Sequence, residues 1–190
     1  MTTQSFRSAV KEFVLLSKDN HPEGIGRLLL ILANSANDTQ IYSSTLPILV
    51  DLYSFNPSPS PDDIIKSNLL HEVMVYLEGL STHDKQDNLD IKEATLLFEK
   101  LHPKLSLEGK MRLLKDYRLA EYLWDIMTNE DPDLIGPYKK LFNLYFGNAV
   151  YRTNALDQWI IETFMIPVLK NPSNLQSMYL CFELLSKLHS

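Results

Sequence analysis

Residues 173–190 read SNLQSMYLCFELLSKLHS. Within it Leu175, Met178, Tyr179, Phe182 and Leu185 recur at spacings of three and four, which puts them on one face of a helix. Leu180, Cys181, Leu184 and Leu188 widen that face well beyond the usual apolar stripe, leaving only Gln176, Glu183 and Lys187 as a polar seam. A half-buried strand would alternate every second residue instead, and such alternation is almost absent from the chain. The same three-and-four period recurs throughout, and the 190 residues contain only 6 glycines. The sequence therefore reads as all-α, with about ten helices.

Composition bounds the kind of object. A chain of 190 residues suits a single domain, 1–190, with a sizeable core. Hydrophobic residues at 45% and charged residues at 22% argue against wholesale disorder. A formal charge of −6 argues against a general nucleic-acid binder, because neutralising phosphates needs a basic surface. The polar start MTTQSFRSAVKEF lacks the apolar core of a secretory signal, and runs such as LLLILA at 28–33 are too short to span a bilayer. No membrane and an intracellular location, cytoplasmic or nuclear, are expected. The single cysteine, Cys181, has no internal partner for a disulfide, consistent with a reducing compartment, and the sequon at Asn37–Thr39 then carries no weight.

Along the chain, helices are expected over about 5–18 and 22–35. A third, capped by Asp38, runs to Tyr53 with Pro47 kinking or restarting it. SFNPSPSPDD at 54–63 links two helical groups. There Ser60, Pro61, Asp62 and Asp63 form a helix start, while Pro57, Ser58 and Pro59 extend the link in a polyproline-like form. A long helix over 62–80 follows, then a polar loop at 81–88, then a helix capped by Asp90 with Glu93 and ending at Leu101. Ser106 caps the next helix, and a bend near Asp116 separates it from the helix of Leu119, Leu123, Trp124 and Met127. Residues 130–133 mark a boundary, and Pro137 opens a helix stopped by Gly147 and Asn148 as left-handed residues. A helix from Asn154 to Leu169, with Pro167 near its end, precedes the last one, which starts at Ser173.

Two segments share an order. RLLLILANSANDTQIYSSTLPILVDLY at 27–53 and KLFNLYFGNAVYRTNALDQWIIETFMIPVLKN at 140–171 each give an apolar helix, an Asn-bearing turn and a helix with a Pro-centred apolar core. The interval differs, 13 residues from Asn34 to Pro47 and 19 from Asn148 to Pro167. These residues resemble the helix-pair repeats of the armadillo and HEAT families over about 60 residues. The resemblance implies a short right-handed superhelical stack that binds a partner along its concave face; an irregular helical bundle is the alternative.

Chemistry-bearing patterns are sparse. The five histidines, at 21, 71, 83, 102 and 189, read as surface or helix-end residues, since none has a second His or Cys at metal-ligand spacing. Asp84, Asp87 and Asp90 superficially suggest a calcium loop, but Leu89 and Thr95 stand where Gly and Glu are required. Cys181 lies among large apolar side chains, a setting that raises a thiol pKa. No phosphate loop or nucleophile elbow occurs. No catalytic residue, cofactor or metal is therefore expected, and an enzyme would need a site assembled from dispersed positions. Tyr138, Phe142 and Tyr145 at i, i+4 and i+7 read as core packing. Arg112, Lys115 and Arg118, within the basic region that also holds Lys104 and Lys110, share a helix face if that helix is continuous. Such a face is most simply a solvated one; its sharper reading is contact with an acidic partner or nucleic acid. Ser58 and Ser60 each precede proline and are candidate phosphorylation sites.

The strongest feature remains the helix quoted first. Its excess of apolar residues predicts a partner surface at Leu175, Met178, Tyr179, Phe182 and Leu185. It would receive another protein, a further helical domain of a longer chain, or a second copy. The functional expectation is a non-catalytic scaffold or adaptor.

Overall fold

The structure, a computed structural model, describes residues 39–54, 58, 60–66, 69–81, 83–129, 135–147, 153–172 and 174–188. Those residues are all-α, with no strand among them. The helices expected over 5–18 and 22–35, the Asp38 cap, the boundary at 130–133 and Asn148 lie outside them. The chain divides into two compact units, Met1–Tyr117 and Arg118–Ser190.

The described part of the first unit begins with α1 (Thr39–Ser54), which runs through Pro47 as α-helix. Next come α2 (Pro61–Lys66), α3 (Leu69–Glu78), α4 (Lys85–Leu101) and α5 (Leu107–Met111). α1 packs chiefly on α4. Leu46, Leu49, Leu52 and Tyr53 of α1, and Ile91, Ala94, Leu97, Phe98 and Leu101 of α4, are buried at spacings of three and four. α3 packs on α1 and α2 and buries Leu69, Leu70, Val73, Met74 and Leu77. Burying a Leu or Phe side chain contributes about 2 kcal/mol, so these faces hold the helices in place.

Ser60 does stand immediately before a helix beginning at Pro61, but what was expected as one helix over 62–80 is described as α2 and α3. α4 begins at Lys85, inside the expected loop. Its cap is Asp84, which accepts the Asp87 N–H at 3.1 Å, while the Asp87 carboxylate accepts the Ser81 N–H at 2.9 Å. The capping arrangement thus lies six residues upstream of the Asp90 and Glu93 pair. Asp87, three residues after the cap, reaches past it to Ser81, whereas in the usual capping box the acid accepts the cap's own N–H, which here goes to the Ser81 carbonyl.

Asp90 has another role. It is 3% exposed and accepts hydrogen bonds from the Ser43 hydroxyl and, at 2.5 Å, from the Tyr76 hydroxyl. One carboxylate oxygen therefore ties α1, α3 and α4 together. A buried charge is tolerable only when hydrogen-bonded, and these two donors meet that condition. Burial first, and Asp90 second, push the Tyr76 hydroxyl up to about 12, which keeps it protonated as a donor.

Ser106 caps α5 as expected, its side chain accepting the Gly109 N–H at 3.1 Å. α5 then widens into a π-turn over Arg112–Asp116, closed by the Tyr117 N–H on the Arg112 carbonyl. Arg118 follows with φ 61°, the left-handed region that a side chain enters at a cost. The bend expected near Asp116 is therefore a π-turn followed by a left-handed residue. Tyr117 is buried there and donates to the Ile65 carbonyl at 2.8 Å.

The described part of the second unit comprises α6 (Leu119–Asn129), α7 (Gly136–Phe146), α8 (Asn154–Ile160), α9 (Ile166–Lys170) and α10 (Leu175–Leu188). Thr153 caps α8 by accepting the Leu156 N–H. A π-turn over Ile161–Met165 joins α8 to α9, just before Pro167, which cannot donate a backbone bond. Pro137 lies in the first turn of α7, as expected. Gly147 ends that helix at φ −96°, not in the left-handed region; a Cβ there would meet the Asn143 carbonyl oxygen at 2.8 Å. Space, not positive φ, is what makes glycine fit.

Aromatic rings fill this core. Trp124 lies 5.1 Å from Phe164, Phe142 stacks on Phe146 at 4.4 Å, and Trp159 meets Phe164 edge-on at 5.5 Å. Tyr138, Phe142 and Tyr145 are all buried, so the stripe read as packing faces the core.

Candidate functional site

At about 100° per residue, Leu175, Tyr179 and Phe182 of α10 fall within about 60° of one another around the helix axis. They are 86%, 68% and 57% exposed, and Met178 and Leu185 beside them are half-buried. Ser177, Leu180, Cys181 and Leu184 are buried and centre on a direction about 180° away. α10 is thus apolar on two opposite sides, of which its own unit covers one.

Several polar contacts fix which side is covered. Asn174 donates from its side chain to the Thr128 carbonyl at 2.8 Å, and Gln176 to the Met127 carbonyl at 2.9 Å. Both reach the last carbonyls of α6, which have no partner within their own helix. The Asn174 side-chain oxygen also accepts the Gln176 N–H at 2.8 Å, which caps the helix beginning at Leu175; the expected start at Ser173 lies outside the described residues. At the other end the Lys187 ammonium donates to Asn143 of α7 at 2.8 Å and pairs with Glu183 at 2.9 Å. The seam of Gln176, Glu183 and Lys187 is therefore used in docking α10 onto α6 and α7. Rotating the helix to bury Tyr179 and Phe182 would break the three contacts to Thr128, Met127 and Asn143.

α9 packs against α10, and two of its apolar residues, Ile166 and Leu169, are exposed at 37% and 46%. Leu175, Tyr179 and Phe182 form a run of three on one helix face, each more exposed than Leu89 and Leu96, which share a face of α4 at 50% and 38%. Covering them would contribute about 2 kcal/mol each, before the costs of association are subtracted.

The basic residues are arranged otherwise. Arg112 and Lys115 lie in the π-turn and Arg118 beyond its end, so the three do not share a continuous helix face. The Arg112 guanidinium sits 5.7 Å from the Tyr117 ring centroid, and Arg118 pairs with Glu121 at 2.7 Å. Lys104 donates to the Tyr53 carbonyl at 2.6 Å, and Lys110 is 5% exposed. Burial lowers the pKa of both amines. The basic run is therefore in part internal structure.

His102 follows the end of α4 but is only 2% exposed, more deeply placed than a helix-end histidine was expected to be. Burial, and then the charge of Lys110, hold its imidazole down at about 4. His71 lies 5.7 Å from the Tyr117 ring, and His83 is exposed. Cys181 is fully buried, and burial raises its thiol pKa. Among the described residues no three His, Cys, Asp or Glu side chains gather where they could hold a metal ion, and no helix is long and apolar enough to cross a membrane. The Ser43, Tyr76 and Asp90 trio was not singled out in the sequence, where its members lie 14 to 47 residues apart. Both hydroxyls donate to the same carboxylate oxygen, an arrangement that satisfies a buried charge. Ser60 is exposed and Ser58 half-buried, neither in a helix.

Comparison of the chain with protein-family models, with curated proteins and with solved structures gives no match.

Proposed function

We propose that this chain is a non-catalytic helical scaffold or adaptor that docks a partner segment, or a further helical domain, on the outer face of α10. The observation that carries the reading is the exposure of Leu175, Tyr179 and Phe182 on a helix whose opposite face and polar seam are already committed. A rigid helix presenting aromatic and aliphatic side chains loses little conformational entropy on binding, which favours recognition. The helix-pair order shared by 27–53 and 140–171 supports the same reading, since stacked helical pairs serve as interaction surfaces. A right-handed armadillo- or HEAT-like stack is part of the proposal.

The test places a photo-crosslinking residue at position 179 and, as a control, at the exposed Lys92 of α4, in the cell from which the protein comes. A discrete adduct from position 179 that is absent from position 92, and lost when Leu175 and Phe182 are both replaced by Glu, is the expected result. Adducts of equal yield from both positions, or adducts insensitive to the Glu substitutions, would overturn the reading.

A further inference from the structure

We propose that Ser60 is the acceptor of a phosphoryl group from a proline-directed protein kinase. Ser58–Pro59 and Ser60–Pro61 are the only two places in the sequence where a hydroxyl-bearing residue precedes proline. They are distinguished by placement: Ser60 is exposed, whereas Ser58 is half-buried. A residue before proline is disfavoured in the helical region and pushed towards extended backbone, the form in which kinase grooves hold an acceptor. Proline in the next position offers no N–H, so a groove unable to satisfy that donor selects proline over other residues.

The Tyr53 hydroxyl reaches the carbonyl of Ser60 at 3.4 Å, and the Tyr117 hydroxyl donates to the carbonyl of Ile65 at 2.8 Å. These two contacts run through backbone oxygens, which esterification of Oγ leaves in place. In the transfer Ser60 Oγ attacks the γ-phosphorus of ATP. The new Oγ–P bond forms as the bond from that phosphorus to the β–γ bridging oxygen breaks; the hydroxyl proton passes to the kinase's catalytic carboxylate, and ADP leaves. The product carries about two negative charges at the exposed Ser60, next to the start of α2.

The full chain is incubated with ATP and a proline-directed Ser/Thr kinase, in parallel with a kinase that selects basic sequences, and the sites are mapped by peptide mass spectrometry. The expected result is phosphate at Ser60 with the first kinase and none there with the second. Incorporation should fall to background in Ser60→Ala and in Pro61→Ala, with the circular dichroism of both variants at the assay temperature matching wild type to show that the fold is retained. No incorporation into the folded chain, incorporation at Ser58 alone, or incorporation indifferent to Pro61→Ala would each overturn the assignment.

Discussion

The first unit encloses a carboxylate, a histidine and a lysine between its helices, whereas the second gathers its most exposed apolar side chains on one helix face. Between α1, α3 and α4 a buried carboxylate gathers two hydroxyls, and near the end of α4 a neutral histidine and a lysine are enclosed. The second unit fills its interior with rings, yet leaves Leu175, Tyr179 and Phe182 in solvent. Buried polar groups demand a definite arrangement because each must find its partner, so they specify how helices meet. Exposed apolar groups specify nothing within their own unit. Their disposition is explained by what they would cover.

Substitutions sharpen that contrast. The largest effect is expected at Phe164, whose ring touches Trp124, Phe146 and Trp159. Phe164→Ala should cost about 4 kcal/mol in denaturant unfolding, through lost burial and the cavity left behind. A cost below about 1 kcal/mol would mean that the aromatic cluster does not hold the second unit. In the first unit, Asp90→Ala removes the acceptor that the Ser43 and Tyr76 hydroxyls share and should cost about 2 kcal/mol, with Asp90→Asn recovering part of it. Equal melts for wild type and Asp90→Ala would remove the carboxylate tie from the account.

His102 makes a pH-dependent contribution. Its folded pKa, about 4, lies below the ordinary value of 6.5. The unfolded chain therefore binds more protons between those values, and stability is complete above about 6.5 and falls as pH drops towards 4. Between pH 7 and pH 5 the loss should be about 1–2 kcal/mol. His102→Gln should flatten that part of the unfolding profile; an unchanged slope would show that the imidazole is not held neutral. The smallest effect is expected on the outer face of α10, where replacing Leu175 and Phe182 by Glu should alter stability by less than about 0.5 kcal/mol. Replacing the buried Leu184 of the same helix by Ala should cost about 3 kcal/mol. Similar costs on the two faces would erase the distinction between them.

Helix content and most boundaries were legible because periodicity, prolines and caps are local signals: Ser106, Pro61 and Pro137 all act where the sequence put them. The start of α4 was missed because its cap uses Asp84 with Asp87, a pattern that serves loops equally well. Asp90, an inconspicuous polar residue in sequence, owes its role to Ser43 and Tyr76, which only tertiary packing brings to it. The π-turns carry no pattern beyond a helix interrupted near Asp116 or Pro167. Arg112, Lys115 and Arg118 share a face only on an unbroken helix, and the left-handed Arg118 breaks it. The α10 face was visible as an apolar excess; which half would be covered depended on Asn174, Gln176 and Lys187 finding partners on α6 and α7.

The most direct measurement is carbene footprinting of α10, comparing the purified chain with the same protein in its native assembly. Leu175, Tyr179 and Phe182 should label strongly in the purified chain and be protected in the assembly, with Leu180 and Leu184 unlabelled in both. Equal labelling of the outer face in the two samples would contradict the docking proposed for it.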